Sequence, residues 1–469
     1  MIKNYFWTFI VRNFDQLFKF LVGIFLARKL LPEDFGVMAI TIAIISIINS
    51  IVRFGFGSAI IQFKGAKLRN RLSSIFWFNI LLAITIFIIL NFFANTISFF
   101  FDSEILEKII NVISILIIFE SLILVQRSYL KKTLKFKLIN QRLIISSLIS
   151  GLLGCYMALN GFGVWSLVAI YLSSSFISLI LYWFYSDWRP KLIFSYTDIK
   201  PILNFGMYRF FEIFIKDLFK RLNTFFIGKY FSIGDLGFFN KANSFSKTFI
   251  TNSVNSFNTV LYPHLSKHQD NDYKFFKIYN IIFSVLTLVI FSLSGLFYFW
   301  SSEIINFLYG DNWNRSADIL KIIIVAAFVR PLISVNTSLF LAKGFSKQSF
   351  NISLISRFVS VLTIIYGIYY GFELFLFAYV VGEIIFFFTH YYYIFFKLKT
   401  KILLKNINSI YFYLLSIIIL ILIDNNFDYS LNIKYLISLS FLVLGFIINL
   451  IFYPSVFKLL IKIYKQQTI

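Results

Sequence analysis

The sequence predicts an all-α polytopic membrane protein of about fourteen transmembrane helices. Two six-helix lobes related by a parallel pseudo-two-fold are followed by two C-terminal helices. Three observations predict this. The 469 residues are 59% hydrophobic with mean hydropathy +0.81, and apolar runs of about 20 residues, the length that crosses a hydrocarbon core, follow one another throughout. Loop charge alternates from one connection to the next. A segment near the N-terminus recurs at an offset of 201 residues.

The expected spans cover roughly 7–30, 36–57, 74–97, 106–125, 142–160, 164–185, 202–230, 237–260, 276–300, 317–340, 352–370, 373–396, 408–424 and 433–454. Lys and Arg then fall unevenly. One set of connections and both termini hold 27, including Lys64, Arg71, Arg127, Lys132, Arg142, Arg189, Lys191 and Lys401. The alternate set holds 6: Arg28, Lys29, Lys108, Lys229, Arg315 and Lys434. The positive-inside rule makes the richer side, with both termini, cytoplasmic and places the chain in the cytoplasmic membrane. A miscounted span would have scrambled this alternation.

The repeat aligns Leu17–Leu21 (LFKFL) with Leu218–Leu222 (LFKRL), Phe25 with Phe226, Asp34 with Asp235 and Gly36 with Gly237. Leu and Phe coincide easily in an apolar chain; the matched Lys, Asp and Gly are harder to dismiss. Span one pairs with span seven, so each half has six spans and enters from the same side. Cargo is then expected between the halves. The expected division is 1–190 for the first lobe, 198–400 for the second and 401–469 for the extra helix pair.

Several classes are excluded. No loop exceeds about twenty residues, so there is no room for a soluble nucleotide domain. No phosphate-binding G-x-x-x-x-G-K-[ST] loop occurs. The net charge of +23 sits mainly in topology-setting loops, which argues against a nucleic-acid partner. Cys155 is the single cysteine, and His264, His268 and His390 are scattered, so no metal site or cofactor is expected. The first span begins within about ten residues, carries charges and lacks an A-x-A-like cleavage site, so no cleavable signal peptide is expected.

Eleven cations lie inside the spans: Arg12, Lys19, Arg53, Arg209, Lys216, Lys220, Arg221, Lys241, Lys247, Lys321 and Arg330. Facing lipid, they would together cost roughly 30 kcal/mol, several times a typical domain's net stability. A shared polar cavity resolves this, and a cationic cavity implies an anionic cargo. In span seven Arg209, Glu212, Lys216, Lys220 and Asn223 share an arc of about 80°, extended by Asp217 and Arg221. Glu212–Lys216 and Asp217–Arg221 have the spacing of i,i+4 ion pairs, so neutralisation within the bundle is the competing reading. Span one presents Arg12, Asp15, Gln16, Lys19 and Gly23. Span two presents Ser46, Asn49, Ser50, Arg53 and Gly57. Span eight presents Lys241, Ser244, Thr248, Thr251, Asn252 and Asn255, with Lys247 apart. Helix–helix adhesion through Ser, Thr and Asn is the plainer alternative. Glu120 and Glu383 stand alone in spans four and twelve, as counter-ions or as proton or sodium coupling sites. Spans thirteen and fourteen have no ionisable interior residue and read as a peripheral, lipid-facing addition.

Here the residues resemble a known family. LARKLLPEDFGVMAI (Leu26–Ile40), RFGFGSAIIQFKG (Arg53–Gly65), GFGVWSLVA (Gly161–Ala169), FLYGDNWNRSADIL (Phe307–Leu320), Arg330–Pro331 and Ala342–Gly344 occur in the order of the polysaccharide transporters. Those transporters belong to the multidrug/oligosaccharidyl-lipid/polysaccharide flippase superfamily. The likeness runs from about residue 3 to 400 and is nearest to O-antigen, capsule and exopolysaccharide unit flippases. It implies alternating access of two lobes around a central cavity, and a cargo of undecaprenyl-pyrophosphate-linked oligosaccharide in a membrane-lipid setting. Polysaccharide polymerase machinery is a candidate partner. A compact pyrophosphate suits Arg and Lys. The candidate substrate contacts are Arg12, Lys19, Arg53, Arg209, Lys216, Lys220, Lys241 and Lys247; the candidate coupling or counter-ion residues are Asp15, Glu120, Glu212, Asp217 and Glu383. In the loop motif Pro32 and Gly36 bound a tight turn and Asp34 caps span two. A lipid II-type flippase, a cation-coupled exporter and a membrane polymerase or glycosyltransferase are the rivals. The exporter would want an acidic cavity, and the polymerase a larger outside loop.

Overall fold

The computed structural model describes residues 2–62, 68–251, 261–398, 402–426 and 431–454. Asn252 and Asn255 of the expected span-eight stripe, and the loop and tail cations Lys64, Lys67, Lys399, Lys401, Lys458, Lys462 and Lys465, lie outside them. So do the side chains of Lys3, Arg209, Glu212, Thr251, Lys397 and Lys405. All regular secondary structure among the described residues is helical.

In chain order the helices are α1 (Ile2–Ala27), α2 (Pro32–Arg53), α3 (Phe56–Gln62), α4 (Leu68–Phe92), α5 (Ala94–Phe100), α6 (Glu104–Ile113), α7 (Ile115–Lys132), α8 (Phe136–Leu159) and α9 (Trp165–Tyr185). After them come α10 (Tyr196–Tyr230) and α11 (Ile233–Ser246), the latter running into a π-turn at Lys247–Thr251. The remainder are α12 (Asp272–Phe299), α13 (Ser301–Tyr309), α14 (Asn314–Ala342), α15 (Ser346–Tyr370), α16 (Phe372–Leu398), α17 (Ile402–Asn426) and α18 (Leu431–Phe452). Within the described residues a helix thus falls on each apolar range expected from the sequence; 252–260 of the range 237–260 lie outside them. Nine of the described helical segments are by themselves long and apolar enough to cross a membrane. The charged helices, such as α10, fall short of that composition because of the polar stripes they carry.

Contacts divide the chain into two compact units. One comprises residues 1–240 with 308–312, the other 241–307 with 313–469. In the first unit α10 packs against α2, α3 and α4, with Phe210 stacked 5.1 Å from Phe54. A core of Phe56, Leu72, Ile75, Phe76, Leu124 and Trp188 joins α3, α4 and α7 to the segment after α9. That segment is tied down: Lys191 N–H donates to Ser73 Oγ at 3.0 Å, Ser195 N–H to Ser74 Oγ at 3.0 Å, and Trp77 Nε1 to the Lys191 carbonyl at 2.8 Å.

The start of α2 follows its sequence. Pro32 occupies the first turn, where a missing N–H costs nothing, and the Asp34 carboxylate accepts the Leu31 N–H at 3.0 Å. The repeat-related glycines meet reciprocally. A Cβ on Gly36 would overlap the Ile233 carbonyl oxygen, and a Cβ on Gly237 would overlap the Pro32 carbonyl oxygen. Residues 32 and 233, like 36 and 237, are 201 apart, so the two matched turns cross with the same atoms in contact.

In the second unit α17 and α18 are stitched to α12. Ser284 Oγ donates to Asn449 Oδ1 at 2.7 Å, Asn449 Nδ2 donates to the Ser284 carbonyl at 2.8 Å and to Tyr413 OH at 3.3 Å, and Tyr453 OH donates to Asn406 Oδ1 at 2.6 Å. Phe441 of α18 stacks 4.0 Å from Phe291 at a site where Gly295 leaves room for its ring. The helix pair exposes Leu436, Leu439, Val443 and Ile447 on its other side. That side is apolar and exposed, and the pair is integral to its unit and not an attachment to it. Asn, Ser and Tyr carry the union with α12, and two ion pairs, Lys321–Asp424 at 3.1 Å and Lys434–Glu303 at 2.7 Å, tie α17 to α14 and α18 to α13.

Candidate functional site

In the first unit polar side chains collect where α2, α7, α8 and α9 meet. Asn49, on the polar face of α2, lines a niche of about 250 Å³ together with Glu120, Arg127, Arg142, Ser178 and Tyr182. Glu120 Oε1 accepts from Arg53 Nε at 3.0 Å and from Arg127 Nη2 at 2.5 Å. Arg142 donates to Ser178 Oγ at 3.1 Å and to Tyr182 OH at 3.0 Å, with its Cζ 4.9 Å from the Tyr182 ring centroid. Next to Asn49 on the same face, Ser46 Oγ accepts from Arg221 Nη2 of α10 at 3.0 Å. Two guanidinium groups thus share the Glu120 carboxylate, a third (Arg142) lines the same niche on neutral hydroxyls, and a fourth (Arg221) bonds Ser46 beside it. Coulomb attraction inside such a polar seam is stronger than in water, and the seam keeps an excess of positive charge.

The sequence singled out Arg53, Glu120 and Arg221 but assigned Arg127 and Arg142 to the cytoplasmic connection. In the structure both turn into the niche. The one signal that could have found them was Glu120 seven residues before Arg127, two turns along the same face of α7. The i,i+4 pair of Asp217 with Arg221 does not form, because Arg221 turns to Ser46 on the facing helix. Glu212–Lys216 lies outside the described side chains, as does Arg209. Lys216 and Lys220 are exposed on α10 and Asp217 is partly buried. On α1, Arg12 is exposed, while Asp15 is buried and accepts from Lys19 Nζ at 2.9 Å.

The second unit carries a separate constellation. Arg330, one residue before Pro331 in α14, donates from Nε to Glu383 Oε1 at 2.9 Å and from Nη1 to Asn243 Oδ1 at 3.2 Å, with its Cζ 4.9 Å from the Tyr379 ring centroid. Lys321 pairs with Asp424 at 3.1 Å. Lys241 is buried, its Nζ 5.4 Å from the Trp313 ring centroid. Lys247 opens the π-turn and is exposed. Glu120 and Glu383 therefore both serve as counter-ions in this conformation.

These features define a multi-pass helical membrane protein in which some of the charged side chains within the helices turn to polar partners on neighbouring helices. Residues 25–318 match the family described as Polysaccharide biosynthesis protein, and the chain belongs to that family. It is 25% identical over 306 residues to the Teichuronic acid biosynthesis protein TuaB of Bacillus subtilis (strain 168), a match covering 64% of this chain and 62% of that protein. It is 24% identical over 347 residues to the Lipopolysaccharide biosynthesis protein WzxC of Escherichia coli (strain K12), covering 73% and 70%. Among solved structures, the Lipid II flippase MurJ in its inward closed conformation superposes with a TM-score of 0.71 at 19% identity, covering 97% of this chain and 100% of that one. That likeness shows a shared fold.

Proposed function

We propose that the chain is a flippase, not an enzyme, and that it moves an undecaprenyl-pyrophosphate-linked oligosaccharide unit across the cytoplasmic membrane by alternating access, with both termini cytoplasmic. One observation carries the reading: in the first unit Arg53 and Arg127 share Glu120, Arg142 lines the same niche on neutral hydroxyls and Arg221 bonds Ser46 beside Asn49, with no second carboxylate among the niche-lining residues. Uncompensated guanidinium groups in a membrane protein favour an anion, and a pyrophosphate offers oxygens in the spacing that guanidinium forks accept. Arg12, Lys19, Lys216 and Lys220 add exposed positive charge within the first unit, and Lys247 and buried Lys241 add it within the second; Arg209 joins the proposed set on its sequence position alone. The relatives' names, for teichuronic acid and lipopolysaccharide biosynthesis, support this cargo over others.

Glu120, Glu383, Asp15, Glu212 and Asp217 are the proposed places for proton or sodium coupling. Protonation of Glu120 would release Arg53 and Arg127, and protonation of Glu383 would release Arg330. The membrane potential adds about 2.3 kcal/mol per charge per 100 mV when a charged species crosses. Handing the exported unit to a polymerase on the far side is part of the same proposal.

The test is transfer between leaflets of reconstituted vesicles. A lipid-linked oligosaccharide is expected to become accessible to an impermeant reagent in the opposite leaflet, and Lys216→Ala or Arg209→Ala to reduce transfer at least tenfold at unchanged protein level. Transfer of lipid II in place of the oligosaccharide would assign the rival cargo. Normal transfer in both variants would remove those residues from the site.

A further inference from the structure

A groove of about 980 Å³ runs between α14, α16 and α17 in the second unit. Its wall is apolar because each helix turns one stripe toward the gap. On α16 the stripe is Phe377, Val381, Ile384 and Phe388, and on α17 it is Leu414, Ile418 and Ile421. These are the i,i+3 and i,i+4 steps that stack side chains on one helix face. Phe377, Val381 and Ile418 are each more than half exposed. The groove is therefore open along one side, and between membrane-crossing helices the neighbours on that side are lipids. A contiguous exposed apolar surface of this kind marks a place where something docks.

One end of the groove is charged. Asp318 and Glu373 line it, near the starts of α14 and α16, and both are exposed. Lys321 lines it too, its Nζ 3.1 Å from Asp424 Oδ2 and 5.8 Å from the Tyr298 ring centroid. One ammonium against three carboxylates leaves this end at −2 (1 − 3), in a chain with 44 Lys and Arg against 21 Asp and Glu. Arg315, whose guanidinium lies 5.7 Å from the Phe372 ring centroid, brings the rim to −1 (−2 + 1). Length narrows the occupant. From Glu373 to Phe388 the wall follows fifteen residues of α16 (388 − 373), about 22 Å at the helical rise, against roughly 30 Å for the hydrocarbon core. The groove starts at one face of the membrane and stops short of the other. That shape suits one lipid tail below one headgroup.

We propose that this groove is a binding site for a phospholipid whose headgroup carries a primary amine, that is, for phosphatidylethanolamine. An acyl chain lies along the stripes of α16 and α17. The lipid phosphate accepts from Lys321, and its ammonium donates to Asp318 and Glu373. The two charges of the headgroup answer the two signs at the mouth. A lipid with phosphate and no amine leaves the carboxylates unanswered, and a quaternary amine has no N–H to donate. Asp318 and Glu373 are then the residues that select the headgroup. The bound lipid fills the space between α16 and α17 and supports the Lys321–Asp424 tie between α17 and α14. The lipid site does not need the flippase reading, which contributes only the topology: with both termini cytoplasmic, the acidic end meets the outer leaflet.

The experiment is native mass spectrometry of the purified full chain, delipidated and then offered equimolar phosphatidylethanolamine, phosphatidylcholine and phosphatidylglycerol with the same acyl chains. Phosphatidylethanolamine is expected to be retained about fivefold over each of the others, the upper end of what an exposed ion pair supplies. Asp318→Asn with Glu373→Gln is expected to abolish that preference. Asp311→Asn, at an exposed acid outside the groove, is expected to keep it. Equal retention of the three lipids by the wild type, a preference for phosphatidylglycerol, or a preference that survives the double variant would each overturn the proposal. So would displacement of phosphatidylethanolamine by equimolar undecaprenyl phosphate, which would give the groove to a polyprenyl tail. The wild-type comparison needs no variant, so a variant that fails to fold leaves the decisive measurement in place. Oligosaccharide transfer by the same preparation separates the two readings: intact transfer with no headgroup preference overturns the lipid site alone.

Discussion

Glu120 holds two guanidinium groups, and its removal leaves both charges without a carboxylate. Breaking a buried pair by deleting one partner costs about 3–5 kcal/mol. Arg53 here is 50% exposed, so solvent recovers part of that. Glu120→Gln is expected to lower stability by about 2 kcal/mol in detergent melts, and Glu120→Gln with Arg127→Gln to lose less than the sum of the two. Additive losses would mean the groups act independently. Residue-scale chemistry was partly legible. Lys19 found Asp15 four residues away because a single helix supplied both. Arg221 passed over Asp217 because Ser46 on a facing helix was nearer to its fork, and no local spacing announces that.

At the scale of elements, the crossing of the two repeat-related turns depends on two missing methyl groups. Gly36 and Gly237 each let a carbonyl oxygen of the other turn come within contact distance. Overpacking of this kind costs about 1–3 kcal/mol. Gly36→Val and Gly237→Val should therefore each lower the melting temperature, while Gly23→Val, also within a helix but with no atom within 4 Å of the Cβ position, serves as a control for loss of the glycine alone. Equal losses at Gly23 would remove the close approach as the cause. The offset of 201 residues was visible beforehand in Asp34/Asp235 and Gly36/Gly237. Their physical reason, mutual contact, was not, since a repeat in sequence does not say that its copies touch.

For the whole molecule, the union of α17 and α18 with α12 sets how the second unit holds together. Asn449 makes three hydrogen bonds there. Asn449→Leu is expected to cost about 1–2 kcal/mol, the upper part of the range for hydrogen bonds between membrane helices, read as a lower unfolding midpoint. Removing residues 401–469 should prevent stable accumulation of the second unit, and a truncated chain that melts with the intact one would refute the stitching. The lack of ionisable interior residues made these helices read as lipid-facing. That reading could not weigh Asn, Ser and Tyr, which are nearly neutral in any hydropathy sum yet strong when paired away from water.

Run length, apolar content, the side-to-side imbalance of Lys and Arg and the residues matched at an offset of 201 were enough to determine a polytopic helical protein, its candidate spans, its internal repeat and an excess of positive charge within the spans. These are sums over neighbouring residues, and a bilayer reads them locally. Which partners those charges take was decided by packing between helices far apart in the chain. Arg127 and Arg142 look like loop cations until α7, α8 and α9 close around them, because a hydrogen bond depends on a few ångströms of distance that sequence order does not encode.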